Sequence, residues 1–148
     1  MTLRLVNLDC PSCGSALHGE GLDTIFFCSH CGDAAVLDES GLQMVDSGAL
    51  APAPGRVAEV WKPAWLLEAE VDVRERILAQ GRRGGGWQGR RRFVVPAFDL
   101  PLTDLARLAR SLGRAAAGTS EVPRQPIRGG TLALDDAVTL ARKKSLEL

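Results

Sequence analysis

Cys10-Pro11-Ser12-Cys13-Gly14 returns fourteen residues later as Cys28-Ser29-His30-Cys31-Gly32, and these are the only four cysteines in the 148-residue chain. Two residues between paired cysteines let one tight turn present both sulfurs to a single ion, and two such turns supply four soft thiolates at tetrahedral corners. The glycine closing each motif suits a backbone with positive φ, where a side chain is penalised. The pattern C-x2-C-x14-C-x2-C is therefore a four-thiolate metal signature with Cys10, Cys13, Cys28 and Cys31 as ligands. A closed set of four leaves no open position for water or substrate, which points to a structural ion.

The two knuckles and the residues around them, Leu3 to Val45, resemble the zinc ribbon, a small antiparallel β module with rubredoxin-like knuckles. The resemblance implies one structural Zn2+ and is silent about function. Other uses of the same cysteines fit the sequence less well. Two disulfides need an oxidising compartment, and Met1-Thr2-Leu3-Arg4-Leu5 lacks the apolar core of a secretion signal, so a cytoplasmic, reducing setting is expected. A thioredoxin-like site needs one C-x-x-C opening a helix, whereas here the motif occurs twice among strand-like residues. Rubredoxin iron sites use the same ligands but separate their knuckles by a longer stretch. His30, inside a knuckle, and His18, in a glycine-rich turn, are read as exposed loop residues because four thiolates already fill a tetrahedron.

Charge is unevenly spread in a chain whose formal net charge is zero. Residues 1–50 hold one cation, Arg4, against seven acids, while residues 51–148 hold the other 17 cations against 11 acids. An acidic ribbon argues against its gripping phosphates directly. It favours a basic protein surface. No run of eighteen apolar residues occurs, so no membrane span is expected.

Working outward from the knuckles, Leu3–Leu8 and Thr24–Phe27 read as strands, and Ala34–Leu37 with Leu42–Val45 as a hairpin about Asp38-Glu39-Ser40-Gly41. Gly48, Pro52, Pro54 and Gly55 among alanines have the composition of a linker. The domain reading is a zinc ribbon over 1–47, a linker over 48–56 and a small α+β domain over 57–148. In that domain Trp65, Leu67, Ala69, Val71 and Val73 alternate with Leu66, Glu68, Glu70, Asp72 and Arg74, the period of a half-buried strand. Trp61 and Trp65 flank Pro63 and read as a hydrophobic plug against the sheet or the ribbon, or else as a platform for a ligand or a protein partner. Phe93–Phe98 reads as the returning strand.

Between these strands Arg82-Arg83-Gly84-Gly85-Gly86-Trp87-Gln88-Gly89-Arg90-Arg91-Arg92 carries five arginines and no acid. It reads as a hairpin loop whose arginines either keep it soluble or track phosphates, with Trp87 stacking on a base. No Walker loop or G-x-G-x-x-G accompanies it. A helix is expected from Pro101-Leu102-Thr103-Asp104, capped by Thr103 or a neighbour, with an apolar stripe of Leu102, Leu105, Leu108, Ala109 and Leu112. After a loop over Gly118–Gly130, a second helix is expected from Leu134 or Asp135 to Lys144, with stripe Leu134, Ala137, Val138 and Ala141. Ser145–Leu148 reads as the start of a strand able to pair within the chain or with another chain.

No nucleophile elbow, H-E-x-x-H or paired catalytic carboxylates are present, so no enzyme is expected. The sequence points to an α+β protein: an antiparallel β zinc ribbon followed by antiparallel strands with two helices. Its expected role is a non-enzymatic accessory or adaptor that binds proteins within a complex. The rival is a nucleic-acid-associated factor using Arg82–Arg92.

Overall fold

The computed structural model describes residues 3, 5–78, 80–115 and 119–146, and it is α+β with antiparallel sheets and two helices. In the ribbon, β1 (Ile25–Phe27), β2 (Ala34–Asp38) and β3 (Gly41–Val45) form one antiparallel sheet in sequence order. The β2–β3 turn closes because the Asp38 carboxylate accepts the Ser40 N–H at 2.7 Å and the Ser40 hydroxyl at 2.5 Å, and Gly41 follows with φ of 116°. Phe26, Leu17 and Ala35 pack with Cys10 and Cys28 into a small core. The strand expected over Leu3–Leu8 does not form. Among its described residues, only Leu8 is tied in, its carbonyl accepting the Leu17 N–H, with one bridge at Asp9–Ala16, and Leu3 and Leu5 stand exposed. Among the described residues no named strand pairs with Leu3–Leu8.

The second module is built on one long hairpin. Its paired segments are β5 (Ala64–Val73) with β8 (Trp87–Pro96), and β6 (Arg76–Ile77) with β7 (Arg83–Gly84); β4 (Ala49–Leu50) lies in the segment read as linker. The register runs unchanged from Ala64↔Pro96 through Val73↔Trp87 to Ile77↔Arg83. The pairing lapses only where Arg74 and Glu75 pass Gly85 and Gly86. Backbones are so close there that a Cβ on Gly86 would lie 2.6 Å from the Val73 carbonyl oxygen. The arginine tract is thus a correction to the sequence reading: it is strand β7 and the outer half of β8, since the two-residue period carries the pairing into it.

The alternation read from Trp65 to Val73 sorts the hairpin into two faces. Trp65, Leu67 and Val71, with Phe93 and Val95 opposite, pack on Ala137, Leu140 and Ala141 of α2 (Leu134–Leu146) and on Leu105 of α1 (Leu102–Ala115). Ala69 is exposed, with Arg91 as its partner across the ladder. The other face pairs Glu68 with Arg92 and Glu70 with Arg90.

The helices depart from expectation at their ends. Helix α1 begins at Leu102, with the Leu105 N–H bonded to the Pro101 carbonyl, so Thr103 lies within the first turn and is not its cap. Leu102 and Leu134 are solvent-exposed at the open starts of their helices, and Ala109, Ala137 and Ala141 are the buried positions. Helix α2 continues through Ser145 and Leu146, replacing the expected strand, while Glu147 and Leu148 lie outside the described residues. Strand β9 (Thr119–Ser120) pairs with β4.

The ribbon is bonded directly to the chain's far end. The Gly130 carbonyl accepts the N–H groups of Thr24 at 2.7 Å and Ile25 at 3.0 Å, and Asp23 and Arg124 add further bonds across the same seam. Gly130 is there because a Cβ would lie 2.6 Å from that of Ile25.

Candidate metal centre

Both knuckles fold by the same local bonds. The N–H of Gly14 bonds the Cys10 carbonyl at 2.8 Å, and that of Gly32 bonds the Cys28 carbonyl at 2.9 Å. The N–H of Cys10 bonds the Ser15 carbonyl and that of Cys28 the Asp33 carbonyl, each at 2.8 Å. Gly14 and Gly32 take φ of 76° and 84°, the left-handed turn their position predicts. Each knuckle is a self-contained turn that aims its two sulfurs to one side. The Ser12 hydroxyl donates to Asp33 at 2.5 Å and ties one turn to the other.

The turns bring the sulfurs of Cys10, Cys13, Cys28 and Cys31 all within 4.8 Å of one another. Cys10 and Cys31 are 3.6 Å apart at Sγ, as are Cys13 and Cys28. A tetrahedron of sulfurs about 2.3 Å from a central ion has edges of about 3.8 Å, so the set fits one metal ion. The same distances are well beyond the ~2.05 Å of a disulfide bond. Cys10 and Cys28 are buried in the ribbon core, and Cys13 is exposed.

Electrostatics point the same way. Hydrogen bonds from the Ser15 hydroxyl and backbone N–H, with help from the neighbouring sulfurs, lower the Cys13 thiol to about 6. The Asp33 N–H favours the Cys31 thiolate, yet burial and the three crowding sulfurs push this thiol up to about 12. Four sulfurs this close resist holding four negative charges, and a cation at their centre relieves that conflict. Both histidines are exposed and outside the cluster; the His30 carbonyl instead accepts a bond from Arg124.

The remaining residues singled out in the sequence do not meet at one place. Trp65 sits half-buried on the α2 core, its indole N–H donating to the Leu132 carbonyl at 2.7 Å. Trp61 and Trp65 line a cleft of about 660 Å3 together with Phe27 and Val45 of the ribbon and Leu108 and Leu112 of α1. Along the hairpin, Arg92 pairs with Glu68 at 2.9 Å, Arg83 with Glu75 at 3.1 Å, and Arg91 stacks 4.4 Å from the Trp87 ring. Arg82 and Arg90 are exposed. Sequence reading missed the cleft and the seam through Asp23, Gly129 and Gly130, because each joins segments about a hundred residues apart. It also missed that Arg74 and Arg76 join the arginine tract, a signal the two-residue period of β5 already carried.

Compared with protein-family models, with curated proteins and with solved structures, the chain gives no match. The centre is assigned on its own geometry: a cluster of four cysteines able to hold one metal ion. Among the described residues no helix is long and apolar enough to cross a membrane.

Proposed function

We propose that the cluster holds one structural Zn2+ and that the chain is a non-enzymatic accessory or adaptor protein, binding other proteins within a complex. Four thiolates complete a tetrahedron and leave no position for a substrate, so the ion's contribution is folding free energy. The observation that carries the reading is the cleft between ribbon and hairpin. About 660 Å3 in volume, it is lined chiefly by apolar side chains and flanked by exposed Val60 and half-buried Trp61. Apolar surface concentrated at the meeting of two elements is where a partner's side chains gain most by insertion.

The test is an affinity capture of the full chain from its native cells, with nuclease-treated and untreated lysates run in parallel. A stoichiometric protein that survives nuclease and is lost on Trp61→Ala supports the adaptor. Capture that is indifferent to Trp61→Ala, or that vanishes with nuclease, overturns it. Elemental analysis of native material is expected to give one zinc per chain, and a coloured iron centre would refute the metal assignment.

A further inference from the structure

From Arg74 to Arg92 the chain carries seven arginines and a single acid, Glu75, in a protein that is neutral as a whole. The shared register sets Arg74, Arg76, Arg82 and Arg83 beyond the last core contact of the long hairpin, with Arg90, Arg91 and Arg92 at its base opposite Glu70, Ala69 and Glu68. None of the described residues from Ala64 to Arg92 is fully buried. The helices cover the inner half, the last core contact along β5 being Val71. Four further register pairs, from Asp72↔Gln88 to Ile77↔Arg83 with the lapse at Arg74 and Glu75 between them, carry six residues of each strand outward as an arm of about 20 Å at about 3.4 Å per residue.

Glu75 is taken up by Arg83 at 3.1 Å, and Arg74 reaches Asp72 only at 3.9 Å. Arg76, Arg82 and Arg90 make no ion pair among the described residues. Arg90 and Arg92 lie on one face of the hairpin and Arg91 on the other, where it covers Trp87. Trp87 is thereby engaged within the arm, which speaks against its stacking on an unpaired base.

We infer that this arm binds duplex DNA without sequence preference by entering a groove and neutralising phosphates on both walls. A two-stranded ribbon fits the major groove, about 12 Å wide and about 8.5 Å deep, and the arm is longer than the groove is deep. Arginine on both faces suits a slot with phosphates on either side, and its planar fork matches phosphate oxygens two at a time. A lipid surface would meet only the tip, at exposed Ile77 and Leu78, and leave Arg90 and Arg91 unused. The inference is independent of the adaptor reading.

The experiment is fluorescence anisotropy with a labelled 20-base-pair duplex of arbitrary sequence, the metal-loaded full chain and a series of salt concentrations. Single-stranded DNA and vesicles containing phosphatidylserine are run beside it. Duplex binding that weakens steeply with salt is expected. In Arg76→Ala/Arg82→Ala/Arg90→Ala, affinity should drop at least tenfold and the slope of log K against log salt become shallower by about 2–3. The matching triple lysine variant should keep the slope. Amide signals of Arg74–Gly89 should move on adding duplex while those of the ribbon stay in place, a readout that does not depend on any variant folding. No binding at about 50 mM salt, an unchanged slope in the alanine variant, tighter binding to single strands, or binding to vesicles alone would each overturn the inference.

Discussion

The Asp23 carboxylate accepts the backbone N–H of Gly129 at 3.0 Å, joining residues 106 apart in sequence. The same oxygen accepts the Glu20 N–H at 2.9 Å, and Asp23 is only 7 % exposed. One side chain therefore closes the turn that leads into β1 and fastens the ribbon to the far end of the chain. It is the only buried charged or polar residue among those described, and both of its bonds go to backbone.

Replacing it should be costly for that reason. Asp23→Ala leaves two backbone donors without their acceptor in a place shielded from water, and a lost bond to a charged group is worth about 1.5–3 kcal/mol. Chemical denaturation of the metal-loaded protein should show that loss. Hydrogen exchange at Thr24 and Ile25, whose N–H groups bond Gly130 beside it, should quicken. Unchanged exchange there would mean the seam holds without Asp23.

Two glycines make a matched comparison. A Cβ at Gly130 would lie 2.6 Å from the Ile25 Cβ and 3.1 Å from its carbonyl oxygen, whereas one at Gly85 meets nothing within 4 Å. Gly130→Ala forces the ribbon off its seat and is expected to destabilise by about 1–3 kcal/mol, as overpacking does. Gly85→Ala should stay within about 0.5 kcal/mol of the parent. Equal melting temperatures for the two variants would contradict the close approach.

Metal removal should act locally. A strong chelator, or Cys13→Ser, is expected to collapse the amide signals of Ile25–Val45, because this small core is built around the ligands Cys10 and Cys28. The hairpin and helices keep their own core of Phe93, Val95, Ala137 and Ala141 and should stay partly structured. Restoring zinc to the chelated protein should restore the ribbon signals. Loss of all signals together would show that the seam makes the two modules one cooperative unit.

The β2–β3 turn offers a pH test. Bonds from the Ser40 hydroxyl and N–H lower the Asp38 carboxyl from 3.8. A depressed carboxyl stabilises the folded turn above its unfolded value and loses that contribution as pH falls through the folded one. Ser40→Ala should raise the Asp38 pKa, read by NMR titration of its carboxyl carbon.

Much of this was legible in the sequence where short-range chemistry rules. Each knuckle is closed by bonds four or five residues long and a left-handed glycine, so Cys10, Cys13, Cys28 and Cys31 announced their cluster from spacing alone. The strict alternation from Trp65 to Val73 likewise gave β5 and its buried face. Strand-like residues misled at both ends of the chain. Leu3–Leu8 found no sheet neighbour, and Ser145 and Leu146 continued a helix already under way.

The chain by itself thus determined the metal-ligand set, the hairpin and the two helices, since spacing, period and glycine conformation act within a few residues. Tertiary structure alone decided that Asp23 and Gly130 seat the ribbon and that Trp61 borders a cleft. Those relationships depend on register and on bonds spanning up to 106 residues. No local pattern encodes them, because the partners lie about a hundred residues apart in the chain.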